Sequence, residues 1–176
     1  VKIPTEAVGV EGSSIYLQAG EELSVRDLLY GLMLQSGNDC AVALALITAG
    51  SVDDFAYLMN TTAKNAGAVN TNFTNPHGLH DDNHYTTAYE LAVISKNAME
   101  NEIFREIVST KNISFPENNR YFSNHNKMLY MYPDTIGIKT GYTLNAGRCL
   151  VSCAQRDDLM LIAVTLNDRN DWNDHK

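Results

Sequence analysis

Lys139, Thr140 and Gly141 bring a cation, a hydroxyl group and a residue without a side chain together at the end of a predicted strand, residues 134–141. β-branched side chains before the triplet indicate the strand. An ammonium group, a hydroxyl and free backbone N–H groups suit a bound carboxylate or a developing oxyanion. A ligand can also approach the glycine closely. The triplet therefore indicates an anion site, although a polar strand end without chemistry would contain the same residues.

A second polar cluster, Ser36-Gly37-Asn38, interrupts two apolar helical stretches 103 positions before Lys139. Ser and Asn are common caps of helices, so a purely structural turn is the alternative interpretation. Each cluster alone is a weak signal, because short motifs recur by chance. The order of the two clusters, with helices between them and strands afterwards, makes a joint site the stronger interpretation.

The elements that must position these clusters follow from periodicity. Apolar residues recur at helical spacing in the first part of the chain, and capping residues mark where helices start. Ser24 with Asp27 and Thr87 with Glu90 have the spacing of capping boxes. The predicted helices begin at Ser24, at about Asp39 (to Ala49, closed by Gly50), at Ser51 (to Gly67), at Thr87 (to about Met99) and at about residue 101 (to 109).

The pattern becomes strand-like after residue 133. It predicts three strands, 134–141, 147–155 and 159–167, and a short early strand is predicted at Ser14–Gln18. The third strand does not alternate, so we expect it to be buried on both faces. Residues 68–85 and 110–133 are predicted to be polar connections.

Composition excludes several classes of function. The chain has 176 residues, 44% hydrophobic and 19% charged, with a net charge of -8 and no Lys/Arg cluster, so no nucleic-acid partner is expected. The longest apolar runs are too short to span a bilayer. Cys40, Cys149 and Cys153 match no common metal or redox spacing and are expected to be small buried thiols.

Three segments, Leu28–Asp39, Thr71–Leu79 and Gly137–Thr143, resemble the serine D-alanyl-D-alanine carboxypeptidases, which are low-molecular-mass penicillin-binding proteins. The resemblance runs nearly end to end. It implies an α+β fold of the β-lactamase/transpeptidase-like type, with a helical cluster and an antiparallel sheet. The chain would be a single, partial catalytic domain, with a helical part at about 20–110 and a sheet part at about 134–170.

The resemblance also implies an activity, the removal of the terminal D-alanine from peptidoglycan stem peptides through an acyl-enzyme. β-Lactams would bind at the same site, outside the bacterial cytoplasmic membrane, and neither a metal nor a cofactor is expected. The implied catalytic residues are Ser36 as a proton relay, Asn38 as a holder of the catalytic lysine and substrate amide, and Lys139 as a source of positive potential. The implied substrate-binding residues are Thr140, Gly141, Tyr142 through its backbone N–H, and Arg169.

One family feature is missing, because no serine in the chain has a lysine three positions later. Thr61 and Lys64 have that spacing, but they fall in the middle of a predicted helix. We therefore expect the chain to be a piece, truncated at both ends, of an active enzyme and to be inactive alone. Any membrane anchor would lie in absent segments. The apolar third strand would lack cover, so the chain is expected to form a homodimer or a swapped oligomer.

Two other functions fit parts of the sequence. A class A β-lactamase would need a glutamate followed four positions later by an asparagine, and the chain has none. A non-catalytic cell-wall-binding homologue would fit the missing nucleophile, but the other site residues are all intact. A metal site at His77, His80 and His84 is disfavoured because their loop lacks a supporting pattern. Gly78 in the same loop is expected to serve the backbone, and Asn126 matches a family segment of open role.

Overall fold

Helices dominate the first 110 residues, and a three-stranded sheet follows, in the computed structural model, which describes residues 1–176. The helices are α1 Val25–Gln35, α2 Asn38–Ala49, α3 Val52–Asn65, α4 Ala88–Ala98, α5 Glu102–Ser109, α6 Met128–Met131 and α7 Asp171–Asp174. The strands are β1 Asn112–Phe115, β2 Arg120–Ser123, β3 Thr135–Thr143, β4 Gly147–Arg156 and β5 Leu159–Thr165. The expected α+β class, helices plus an antiparallel sheet, is confirmed.

The main sheet has the order β3-β4-β5, with both pairs antiparallel. Lys139 lies opposite Val151, which in turn lies opposite Val164. β3 is therefore an edge strand, and the backbone groups on its outer side are not used by the sheet. This places the predicted anion site on an open edge.

Most of the longer helices begin at a residue whose side chain caps the helix N-terminus. Ser24 accepts a hydrogen bond from the Asp27 backbone N–H while Asp27 accepts from Ser24 N–H, so the capping box predicted for α1 is present. The box predicted for α4 forms only in part. Thr87 accepts from Glu90 N–H, but the Glu90 carboxylate turns away to bond with the loop at residues 69–71.

The main core lies between α1, α2 and the segment before them. Residues 38–45 of α2 are all buried, as its apolar sequence predicts. Gly31 lets α1 approach this helix, because a Cβ there would lie 2.8 Å from Cys40 Sγ. A second core joins α5 to the sheet through Val108, Ile138 and Cys153. The site thus depends on two packed layers, helices and sheet.

Three sequence predictions differ from the structure. Residues 110–133 were predicted to be a polar connection but form the β1–β2 hairpin and α6. Phe115 and Phe122 pack into the main core, but the residues around them do not alternate clearly, so the pattern did not indicate strands. Residues 14–18 form no strand. Leu159 and Leu161 are 60% and 62% exposed, so β5 is not buried on both faces; it is an edge strand with one open face.

No single helix has the length and apolar character needed to cross a membrane. Helices α2 and α3 together have that length and apolar character, but the chain bends by 87° at the break between them.

Candidate active site

The two polar clusters of the sequence meet in the structure. Lys139 Nζ donates a hydrogen bond to Ser36 Oγ and a second one, of 3.0 Å, to the Thr140 carbonyl. Ser36 is the residue that ends α1, and Lys139 lies in the middle of β3. The contact therefore joins the helical layer to the sheet across 103 residues of sequence.

The turn between α1 and α2 holds Ser36 in a restricted conformation. Ser36 has φ 58° and ψ 34°, a left-handed conformation that few residues other than glycine adopt. Gly37 follows, and a Cβ there would lie 2.8 Å from Asp39 Oδ1 and 3.1 Å from Cys40 Sγ. The tight turn thus requires glycine at the middle of the cluster and directs the serine towards β3.

Asn38 starts α2 and is buried. Its backbone N–H donates to the Ser13 carbonyl at 2.7 Å, and its Nδ2 donates to the Glu11 carbonyl at 2.6 Å. Its Oδ1 accepts no hydrogen bond from the protein, so this oxygen is available to another donor. The side chain is not a helix cap, because the N-cap of α2 is Gly37 and no side chain makes a capping hydrogen bond there.

Asp39 is a structural residue of the site that sequence reasoning missed. Its carboxylate is 1% exposed and accepts hydrogen bonds from Ser14 Oγ at 2.6 Å and from the Ile15 and Leu17 backbone N–H groups. These bonds hold residues 14–17, which were predicted as part of a strand, in an irregular conformation. A carboxylate at the first turn of an otherwise apolar helix was the available signal, because a buried charge needs partners.

Burial lowers the pKa of Lys139 to about 8. The ammonium charge at the site is therefore lost as the pH rises through this value, well before that of an ordinary lysine. A bound anion would favour the charged form and oppose this loss. The residue can supply positive potential at neutral pH and can also exchange a proton with the adjacent hydroxyl group.

His125 also lies beside this pair, and no sequence pattern singled it out. Its backbone N–H donates to the Leu34 carbonyl in the last turn of α1 at 3.1 Å. Burial and, secondly, the charge of Lys139 lower the pKa of His125. The neighbouring Asn126, which the sequence singled out, is 1% exposed and its Nδ2 has no partner. The loop at 124–126 therefore lies next to Lys139 and the end of α1.

Thr140, Gly141 and Tyr142 follow Lys139 along the open edge strand. Thr140 is half-buried, and the other two residues are exposed. A Cβ at Gly141 would meet only Cys149, with the nearest atom at 3.8 Å, which is an ordinary contact. The fold itself does not require this glycine, so the space above it is free for a ligand.

Arg169 is exposed, and its side chain makes no hydrogen bond or ion pair within the chain. The nearby Arg148 instead forms an ion pair of 2.7 Å with the buried Asp171 and fastens α7 to β4. A role for Arg169 in binding a carboxylate remains an expectation from the resemblance.

The loop at 68–85 borders the site through its tip. Asn75 Oδ1 accepts from the His77 and Gly78 N–H groups, and Asn75 Nδ2 donates to the Leu79 carbonyl. Gly78 has φ +82°, which explains a glycine there on backbone grounds. No group of three or more His, Cys, Asp or Glu side chains is arranged to hold a metal ion.

The cysteines are free thiols. Cys40 and Cys153 are buried, as expected, whereas Cys149 is only partly covered. Burial raises the pKa of Cys153 to about 11 and that of Cys40 further, so both thiols stay protonated at neutral pH.

The arrangement suits acyl transfer to or from an anionic substrate. A hydroxyl group contacts a lysine of lowered pKa, an amide oxygen is free, and an open edge strand contains a glycine. Such groups can relay protons and bind a carboxylate. The chain itself offers no Ser-x-x-Lys pair as nucleophile and base.

Solved structures share this arrangement of elements. A D-alanyl-D-alanine carboxypeptidase, DacD, from Francisella tularensis superposes with a TM-score of 0.90 at 28% identity, covering 99% of this chain and 55% of that one. A variant of the Streptomyces K15 DD-transpeptidase gives a TM-score of 0.88 at 34% identity, covering 95% of this chain and 71% of that one. The fold expected from the sequence is confirmed by both.

Sequence relatives agree with the structural ones. The chain is 36% identical over 167 residues to the D-alanyl-D-alanine carboxypeptidase DacF of Bacillus subtilis, which matches 93% of this chain but only 43% of the relative. It is 38% identical to DacC of Escherichia coli, over 92% of this chain and 41% of the relative. The chain therefore spans less than half the length of these relatives. The profile of the D-alanyl-D-alanine carboxypeptidases, peptidase family S11, matches residues 1–170, and the chain belongs to this family.

Proposed function

We propose that the protein containing this chain removes the terminal D-alanine from peptidoglycan stem peptides through an acyl-enzyme and is acylated by penicillin. The contact between Ser36 Oγ and Lys139 Nζ carries the proposal, because it brings the two family motifs into direct contact. Family membership and relatives named D-alanyl-D-alanine carboxypeptidases support the substrate class.

The nucleophile is proposed to come from a Ser-x-x-Lys motif outside residues 1–176, since none occurs within them. Its serine hydroxyl would attack the carbonyl between the two terminal D-alanines. The peptide bond breaks, the leaving amine takes a proton, and free D-alanine departs. Water then attacks the ester and returns the serine hydroxyl, which completes hydrolysis.

Each site residue of this chain has a role in that scheme. Ser36 would relay protons, and Asn38 would offer its free Oδ1 to the catalytic lysine or the substrate amide. Lys139 would supply positive potential, Thr140 would bind the terminal carboxylate, and the space over Gly141 would admit the substrate backbone. The Tyr142 N–H would form half of the oxyanion hole. Arg169 would help to bind the substrate carboxylate.

The site of action is proposed to be the outer face of the bacterial cytoplasmic membrane, where peptidoglycan stem peptides are exposed. A membrane anchor, if the protein has one, would lie outside these residues. The 176-residue chain alone is proposed to be inactive, because it contains no Ser-x-x-Lys motif.

The test is acylation by a fluorescent penicillin, read as the mass of the intact protein, on the product of the complete gene and on the 176-residue chain. We expect the complete protein alone to gain the mass of one penicillin and to release D-alanine from a peptide ending in D-alanyl-D-alanine. Labelling of neither protein would favour a non-catalytic cell-wall-binding homologue. Labelling of the short chain would show that the nucleophile lies within it.

A further inference from the structure

Residues 11–17 lie against the start of α2 without forming a helix or a strand. The backbone carbonyls of Glu11 and Ser13 accept hydrogen bonds from Asn38, and the Asp39 carboxylate accepts from the other end of the segment at Ser14, Ile15 and Leu17. The segment is thus fixed to the two residues that follow Gly37. None of the roles proposed above uses it.

The Glu11 carbonyl determines which way the Asn38 amide faces. A carbonyl oxygen only accepts hydrogen bonds, so the amide atom 2.6 Å from it must be the nitrogen, Nδ2. The opposite atom, Oδ1, is left as an acceptor without a donor from the protein. A rotated amide would place two acceptors against each other and lose this bond.

Gly12 provides the space that the Asn38 amide occupies. It has φ +93°, and a Cβ built on it would lie 2.6 Å from Asn38 Nδ2 and 3.8 Å from Leu79 Cδ2. Leu79 belongs to the tip of the 68–85 loop, which Asn75 fixes. A side chain at position 12 would therefore be caught between this loop and the amide, and Asn38 would have to move.

We propose that Gly12, together with the Glu11 carbonyl, is a positioning residue that holds Asn38 with Oδ1 presented to the reaction. The inference rests on the proposed function, because it assigns the free oxygen to a donor of that reaction. It extends the site to Glu11 and Gly12, which lie 25 and 24 positions before Ser36 and are not proposed to touch the substrate. A shift of several tenths of an ångström would misalign a hydrogen bond on which acylation depends.

The principal test compares Gly12→Ala with Gly9→Ala in the product of the complete gene. Gly9 has a similar φ of +74° but nothing within 4 Å of a Cβ, so it shares the backbone strain and lacks the clash. We expect the second-order rate of acylation by fluorescent penicillin to fall at least about tenfold in the Gly12 variant and less than about twofold in the Gly9 variant. Equal rates in the two variants would overturn the proposal.

A double-mutant cycle with Asn38→Ala separates positioning from general damage. If Gly12 acts through Asn38, then Gly12→Ala should cause no further loss once the amide has been removed. Independent, multiplying losses would overturn the proposal. Gly12→Asn provides a second variant for the case of poor folding, because asparagine tolerates positive φ better than alanine while it keeps the clashing Cβ.

A spectroscopic readout keeps the inference separate from the activity. The side-chain amide resonance of Asn38, assigned by its disappearance in Asn38→Asp, should shift in Gly12→Ala and stay in place in Gly9→Ala. If penicillin does not label the wild-type protein, the proposed function fails while this resonance still decides the positioning role. An unshifted resonance in Gly12→Ala would contradict the inference even in an active enzyme.

Discussion

At the scale of single residues, the site depends on a lysine that is kept out of water. Lys139 combines partial burial, a lowered pKa of about 8 and a hydroxyl neighbour in Ser36. These properties follow from its place between two layers and not from its type, because an exposed strand lysine would have none of them. Its positive charge also acts on His125, which offers a way to observe the site without substrate.

Replacing Lys139 with glutamine is expected to raise the pKa of His125. The lysine charge is one of the two causes that lower this pKa, and burial, the larger cause, would remain. The shift should appear in an NMR titration of the histidine ring protons. His77 serves as the control, since its pKa is lowered by burial and by His84 and not by Lys139. An unchanged His125 titration would mean that the two side chains do not interact.

The sequence predicted the residues of this site better than their surroundings. Ser36 and Lys139 stand out because polar triplets interrupt strong helix and strand patterns, and the structure brings them together. Asp39 and His125 were missed, because their roles depend on partners from segments that lie far away in sequence. Periodicity reports which face of one element is buried, and it contains no information about what a loop supplies to another element.

At the scale of elements, the loop at 68–85 is held by one carboxylate. Glu90 is 3% exposed and accepts hydrogen bonds from Val69 N–H, Asn70 N–H and Thr71 Oγ1. The hydrogen bond from Thr71 is the largest cause of its lowered pKa. Glu90 was predicted to form a capping box with Thr87 at the start of α4. The loop takes its oxygens instead, because it offers three donors and the box would offer one.

Glu90→Gln is expected to loosen the start of this loop, because an amide offers one acceptor oxygen in place of two charged ones. Hydrogen exchange at the Val69 and Asn70 amides should accelerate about tenfold or more, since hydrogen bonds to charged groups are the stronger ones. Glu102→Gln is the matched control, because Glu102 makes only an exposed contact of 3.9 Å with Arg105. Equal exchange rates in wild type and Glu90→Gln would contradict this account.

The same carboxylate makes the stability of the wild-type protein depend on pH in the acid range. A pKa lowered in the folded state means that the stabilisation is complete above the unfolded pKa and is lost as the pH falls through the folded value. The unfolding midpoint of the wild type should therefore drop more steeply below about pH 4.5 than that of Glu90→Gln, in which this group no longer titrates. Parallel curves for the two proteins would show that Glu90 does not contribute.

At the scale of the whole molecule, β5 leaves an apolar face open. Leu159 and Leu161 lie exposed on an edge strand whose other face packs near α4. Apolar patches of this kind promote association in isolated proteins. The apolar sequence of this strand predicted burial on both faces, and the structure leaves one face exposed. A hydrophobic pattern does not show whether another element covers the strand.

The 176-residue chain is expected to associate through this face, as a homodimer or a swapped oligomer. Leu161→Lys should shift it towards monomer in size-exclusion chromatography with light scattering, because a charge would have to be buried in the contact. Ile103→Lys is a matched control, since both side chains are 62% exposed and Ile103 lies on α5, away from β5. A wild-type chain that is monomeric throughout would refute the expectation.

The contact between Ser36 and Lys139 also acts as a tether between two layers that have separate cores. A ligand bound to both residues would add a second connection between the helices and the sheet. It would stabilise the folded state, because unfolding would require its release. Ligand affinity and the stability of the fold are then thermodynamically linked. A bound ligand would raise the unfolding temperature, and looser packing of Val108 against β3 would weaken ligand binding although Val108 is not part of the site. A ligand that binds both residues would therefore stabilise the fold as well as occupy the site.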